Sequence, residues 1–201
     1  MTQDPSIHVV DDDPGVREST RMLFESLGYP VRTYPSADDF LAAYSPQMRG
    51  CVLLDLHMPG TTGLQMQEQL EQLAAGLPIV FLTAHGDVPS ALRALKHGAV
   101  SFLLKPAREQ DLIDVVNGAL RLEREGRGRH EAAAALRARL AALTAREHDV
   151  LEHVLAGHPT KITANALGIS ERTVEVHRAR VFTKLHVRSV PELVRALETL
   201  N

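Results

Sequence analysis

From Ser6 onward the chain alternates between short apolar, β-branched runs and longer stretches whose apolar positions recur at helical spacing. SIHVV (6–10) precedes a helical pattern at 16–27, PVRTY (30–34) one at 37–44 and CVLLD (51–55) one at 63–73. PIVFL (78–82) is followed by 88–97, and SFLLK (101–105) by 109–122. Five strand-helix units in succession need crossover connections, which predicts an α/β fold: a five-stranded parallel sheet with helices on both faces. The runs VLL and IVFL are apolar without alternation, as inner strands covered on both sides must be.

In an open parallel sheet, ligands bind outside the carboxyl ends of the strands, so the residues that end these runs are the candidates for chemistry. They are Asp11, Asp12 and Asp13 after the first run, Asp55 after the third, Thr83 with Ala84 after the fourth, and Lys105 with Pro106 after the fifth. Any one of them alone reads as a turn or helix-cap residue. Several carboxylates, a hydroxyl and an ammonium on one rim read as a site. Clustered carboxylates repel one another unless a hard cation with oxygen ligands sits among them, and Mg²⁺ is the natural one. With charge neutralised in that way, Asp55 can act as a nucleophile toward phosphorus. Lys105 can then hold the phosphoryl oxygens while the Thr83 hydroxyl donates to one of them.

Beyond residue 122 the β-rich runs stop. The stretch 121–143, RLEREGRGRHEAAAALRARLAAL, favours helix by its alanine, arginine and glutamate content, while Gly126 and Gly128 each cost about 1 kcal/mol in a helix interior. The expectation is a helical linker over 123–142, weakened near Gly126. Leu136, Leu140 and Leu143 fall at helical spacing. A plain spacer, and a helix that pairs with a second chain through these leucines, both remain open. Short helical patterns follow at 145–156, 161–167, 171–185 and 190–200. Thr144, Thr160 and Ser170 are placed to cap three of them, and Gly168 is placed to end the second with positive φ. Helix, tight turn LGIS, helix is the plan of a helix-turn-helix unit, whose second helix enters the DNA major groove. The expected organisation is an α/β domain at 1–122, the linker, and an all-α four-helix domain at 143–201.

Charge sharpens this division. The 201 residues carry 22 basic against 25 acidic side chains, net −3, which excludes a uniformly basic nucleic-acid coat; 44% hydrophobic content suffices for two small cores. Locally, residues 171–189 hold Arg172, Arg178, Arg180, Lys184 and Arg188 against only Glu171 and Glu175. With Val174, Val181 and Leu185 on one apolar stripe, Glu175, Val176, Arg178 and Ala179 are left to face outward. A single cysteine, Cys51, excludes a disulfide framework, the start MTQDPSIHVV lacks the plan of a signal peptide, and no apolar run approaches the ~20 residues that cross a bilayer. The expectation is a cytoplasmic chain without membrane association. None of the ten histidines falls into a His-Glu-x-x-His or similar spacing, so they read as scattered surface groups.

The stretches VVDDD (9–13), LLDLHMPG (53–60), FLTAHGD (81–87) and GAVSFLLKP (98–106) occur in order at the strand ends. On them, residues 6–122 resemble the flavodoxin-like receiver domain of two-component response regulators. The resemblance implies that Asp55 is the phosphoacceptor and that Asp11, Asp12 and Asp55 hold Mg²⁺ with the backbone carbonyl of His57. It further implies that Thr83 and Lys105 contact the phosphoryl group, that Phe102 is the aromatic switch residue moving with Thr83, and that the Lys105-Pro106 bond is cis. Asp13 is left as an exposed helix-start residue. One departure is Ala107, where such domains often place Phe, which leaves a smaller apolar contact at the start of the fifth helix.

In the second half, LTAREHDVL (143–151), LGISERTVEVHRARVFTKL (167–185) and SVPELVR (189–195) resemble the LuxR-type helix-turn-helix output domain. There the resemblance points Glu175, Val176 and Ala179 at base edges and gives Lys161, Thr173, His177, Arg178, Arg180 and Lys184 to the DNA backbone. Departures at Thr160, Ile162 and Thr163 touch the supporting helix. Taken whole, the chain resembles a response regulator of the FixJ/NarL type. Such a protein is not an enzyme. It is phosphorylated by a sensor histidine kinase, is a homodimer when phosphorylated, and regulates transcription from promoter DNA, with RNA polymerase as a further partner that the resemblance allows.

Two other classes compete with that reading. A Mg²⁺-dependent phosphatase with an aspartyl-phosphate intermediate usually carries a second acid two residues after the nucleophile, and here that position is His57. A receiver acting only through protein partners needs a second domain that does not bind DNA, and the basic helix argues against it.

Overall fold

The computed structural model describes residues 4–84 and 88–200; the last three residues of the stretch FLTAHGD, 85–87, lie outside the described residues. The chain forms two compact units, Met1–Arg127 and Gly128–Asn201.

The first unit runs β1 (Ser6–Val10), α1 (Pro14–Ser26), β2 (Val31–Tyr34), α2 (Ala37–Ala43), β3 (Gly50–Leu54), α3 (Gly63–Gln72), β4 (Ile79–Thr83), α4 (Val88–Lys96), β5 (Ser101–Leu104) and α5 (Glu109–Ala141). All strand pairs are parallel, in the order β2-β1-β3-β4-β5. Every residue of the three inner strands is buried. Their side chains alternate between two cores, as the period of a strand requires. Val10, Val52, Leu54 and Phe81 join Phe40 of α2, Met66 and Leu70 of α3 and Ala94 of α4 on one face. Ile7, Val9, Leu53 and Val80 join Phe24 of α1 and Leu112 and Val116 of α5 on the other. Coverage on both faces is the physical reason these runs show no polar alternation.

Register sets the site. Val10 pairs with Leu54, so Asp11 and Asp55 leave the sheet side by side; Thr83 pairs with Leu104, so Lys105 emerges beside the threonine. The Lys105-Pro106 bond is cis.

The expected helix at 109–122 continues without a break through Gly126 and Gly128 to Ala141, and the division between the two units falls inside it. Side chains hold the helix beyond residue 122. Glu123, only 3% exposed, accepts from Arg127 Nε at 2.9 Å and from Arg49 Nε at 3.3 Å, and Arg127 Nη2 donates to the Met48 carbonyl at 3.4 Å. The alanine-rich stretch then carries the helix on at little conformational cost.

The second unit contains the end of α5 with α6 (Ala145–Leu155), α7 (Thr160–Leu167), α8 (Glu171–Leu185) and α9 (Val190–Glu198). Leu136 and Leu143 are buried with Leu151, Val181, Leu185 and Leu193, and Leu140 packs against them. These leucines therefore serve the core of their own unit, which corrects the reading that offers them to a second chain. Thr144 forms a capping box with Glu147, and the Ser170 hydroxyl accepts from Thr173 N at 3.1 Å to start α8. Gly168, at φ 65°, ends α7 in the left-handed conformation that a residue with no Cβ adopts at little cost. The Thr160 expectation is corrected. Pro159 holds the cap position of α7 without a side-chain bond, and Thr160 is the first helical residue, its hydroxyl drawn off to α8. Among the described residues no helix is long and apolar enough to cross a membrane.

Candidate functional site

At the carboxyl edge of the sheet, the expected residues come together. Asp11 is 2% exposed, Asp55 7% and Thr83 1%, whereas Asp12 is exposed. The ammonium of Lys105 donates to Asp55 Oδ2 at 2.8 Å and also to Asp11 Oδ2, so one cation bridges two strand ends. The other Asp11 oxygen accepts from Asp13 N at 3.0 Å, and Asp55 Oδ1 accepts from His57 N at 3.3 Å. Lys105 N donates to the Thr83 carbonyl at 2.8 Å, which ties the lysine and the threonine through the backbone. Asp13 faces away from the carboxylate cluster: its side chain accepts from Gly15 N at 2.7 Å and Val16 N at 3.3 Å and caps α1.

Electrostatics follow from this packing. Burial pushes the Asp11 carboxyl above its ordinary value, and the hydrogen bond from Lys105 offsets only part of that. For Lys105 burial acts downward, but hydrogen bonds and attraction from Asp11 and Asp55 outweigh it and hold the ammonium above its ordinary value. Asp11, Asp12 and Asp55 can each bring one oxygen within 4.8 Å of the others. An all-oxygen, all-anionic donor set on one rim fits a hard divalent cation such as Mg²⁺.

One contributor to the site carries no signal in the patterning. Gly63 opens α3 directly over the Asp55 backbone, where a Cβ would lie 2.2 Å from the Asp55 carbonyl oxygen and 3.0 Å from the Phe81 ring. Glycine alone permits that approach, and it brings the start of α3 onto the turn that carries Asp55. Phe102 is half-buried, with its ring centroid 6.0 Å from that of Phe81. Ala107 borders a cleft of about 510 Å³ shared with Val16, Leu23, Leu82 and Leu112, space that a larger side chain at the start of α5 would reduce.

In the second unit, Val174, Val181 and Leu185 bury one side of α8 and leave Glu175, Val176, Ala179 and Arg180 exposed. Lys161 of α7 is exposed as well. Glu175 Oε1 accepts from the Thr160 hydroxyl at 2.6 Å and lies 3.9 Å from Arg178 Nη1. Arg178 in turn stacks over Phe182, 5.5 Å from its centroid. Two of the expected backbone contacts, Thr173 and Lys184, have hydrogen-bond partners within the unit, and a third, His177, is partly enclosed. The Thr173 hydroxyl bonds to that of Ser170 at 2.8 Å, and His177 is half-buried with Nδ1 enclosed. Lys184 donates to buried Glu147 at 2.6 Å and to the Ala142 carbonyl at 3.1 Å. That pair, with the backbone N–H of Thr144, drives the Glu147 carboxyl down to about 2.

The response regulator receiver domain model matches residues 7–117, and the model for bacterial regulatory proteins of the luxR family matches residues 141–197. Response regulator protein TodT of Pseudomonas putida is 40% identical over 195 residues, which cover 97% of this chain and 86% of that one. Transcriptional regulatory protein FixJ of Azorhizobium caulinodans is 43% identical over 195 residues, 97% of this chain and 92% of its own. The solved low-resolution structure of response regulator StyR matches with a TM-score of 0.88 at 44% identity, over 98% of this chain and 99% of that one.

Proposed function

The chain belongs to the two-component response regulators of the FixJ/NarL type, a receiver domain joined to a LuxR-type DNA-binding domain, and from that premise we propose that Asp55 accepts a phosphoryl group that controls binding to promoter DNA. The observation that carries this reading is the Lys105 ammonium held between Asp11 and Asp55 at the ends of two inner strands. One Asp55 carboxylate oxygen attacks phosphorus, the bond to the donor's leaving atom breaks, and an acyl phosphate forms. Lys105 follows the charge onto the phosphoryl oxygens, and the Thr83 hydroxyl donates to one of them. Asp11, Asp12 and Asp55, with the His57 carbonyl, would hold Mg²⁺, which supplies neutralisation of the carboxylates and of the incoming phosphoryl charge. Thr83 and Phe102 then shift together, the threonine toward the phosphoryl group and the half-buried ring, whose centroid is 6.0 Å from that of Phe81, inward.

The phosphoryl donor is a sensor histidine kinase, and the output is a homodimer that reads paired half-sites and regulates transcription. On α8, the exposed Glu175, Val176 and Ala179 read base edges, while Arg178 and Arg180 of the same helix and Lys161 of α7 contact phosphates. The experiment is labelling by a small phosphodonor in Mg²⁺. Wild type takes up one phosphoryl group per chain, and Asp55→Asn, which keeps the volume and removes the nucleophile, takes up none. Equal labelling of the variant would move the acceptor to another residue.

A further inference from the structure

At the carboxyl end of α6 the chain reverses through two paired backbone bonds. His158 N donates to the His153 carbonyl at 3.0 Å and Gly157 N to the Val154 carbonyl at 3.1 Å, with Gly157 at φ 72°. This is the helix-ending arrangement in which the residue two beyond the cap folds back over the third-last helical residue, and an apolar contact commonly fills that place. Here two imidazoles fill it. The Nδ1 atoms of His153 and His158 are 2.9 Å apart, with ring centroids 5.0 Å apart and planes inclined by 50°.

We propose that His153 and His158 form a two-histidine site for a divalent transition-metal ion of the Zn²⁺ class. Zn–N bonds are about 2.0–2.1 Å, so two nitrogens on one ion lie about 2.9 Å apart at a right angle and about 3.3 Å at the tetrahedral angle. The observed separation matches the right-angle case, and binding requires the two rings to turn so that both Nδ1 atoms point at one ion rather than at each other. Imidazole is a ligand suited to Zn²⁺, Ni²⁺ and Cu²⁺, and His153 and His158 stand as His-x₄-His, within the range used by paired histidine ligands, which corrects the expectation that all ten histidines are scattered surface groups. The site is exposed, so water completes the coordination sphere. On binding, the proton shared between the two Nδ1 atoms passes through solvent to Nε2 of its own ring, and both rings enter neutral. The ion sits two residues before Thr160, whose hydroxyl holds Glu175 of α8, and therefore braces the turn that delivers that contact. The site is separate in kind from the acidic cluster at Asp11, Asp12 and Asp55, which offers only oxygen.

The test uses the full chain in excess Mg²⁺, so that the carboxylate cluster is satisfied. Zn²⁺ is titrated calorimetrically, and Ni²⁺ serves as a paramagnetic probe in amide NMR. Wild type is expected to bind one Zn²⁺ per chain with micromolar affinity, and one equivalent of Ni²⁺ to broaden amides around residues 153–160 first. His153→Ala is expected to weaken binding at least tenfold. His158→Phe keeps an apolar ring in the folded-back position and so preserves the helix end, but it too should lose the metal at least tenfold. Unchanged affinity in either variant, or broadening that begins elsewhere, would overturn the site.

Discussion

Lys184 and Arg180 lie four residues apart on the same basic helix, yet they do different work. Arg180 projects into solvent, whereas Lys184 is spent on Glu147 and the Ala142 carbonyl. Arg180→Ala is expected to weaken binding to all DNA sequences and reduce the salt slope by about one unit, measured by titration at several salt concentrations. Lys184→Met is expected to act on stability: about 1–2 kcal/mol lost at neutral pH in urea unfolding, since a charged hydrogen bond to a buried carboxylate is removed and the half-exposed lysine limits the loss. Because Glu147 is lowered to about 2 from an ordinary value of 4.5, its contribution is complete above about pH 4.5 and fades as pH falls toward 2. The variant should therefore lose less stability than wild type across that acid window. Parallel pH profiles would show that the pair contributes nothing. Asp11, Asp55, Thr83 and Lys105 are legible in the sequence because each ends a strand and the register of a parallel sheet brings strand ends together. Lys184 is not legible, because its partner lies 37 positions away and charge alone does not say whether a lysine faces DNA or a neighbouring helix.

Among the elements, the five strands and the four short helices announce themselves by period, while α5 does not. Composition predicts a separate helical linker over 123–142 weakened near Gly126, whereas one helix runs through both glycines. What decides the matter is a set of side-chain bonds from Glu123 and Arg127 to a loop residue and a carbonyl, which no local pattern reveals. The same limit applies at Gly63, whose need for a bare Cα arises from the Asp55 carbonyl across the turn. At Gly128, by contrast, an added Cβ meets nothing within 4 Å. Gly128→Ala is expected to stabilise the middle of α5 by about 1 kcal/mol, which slows hydrogen exchange of the amides around residues 126–132 about fivefold. Exchange unchanged or faster in the variant would mean that this stretch is not helical in solution.

At the scale of the whole molecule, the cluster of Asp11, Asp55 and Lys105 lies in one compact unit and the basic face of α8 in the other, and the division falls within α5. The proposal requires a two-state receiver whose phosphorylated form favours a DNA-binding dimer on half-sites about 10 bp apart or a near multiple. A coupling of about tenfold in affinity, ~1.4 kcal/mol, is an ordinary size for such a switch. The most direct measurement is DNA affinity by fluorescence anisotropy in Mg²⁺, using a duplex selected from a random library by the protein treated with beryllium fluoride. Wild type and Asp55→Asn are compared with and without that phosphoryl mimic at fixed salt. The account predicts about tenfold tighter binding by wild type when the mimic is present and no change in Asp55→Asn. Equal affinity of wild type under both conditions, or the same gain in Asp55→Asn, would contradict it.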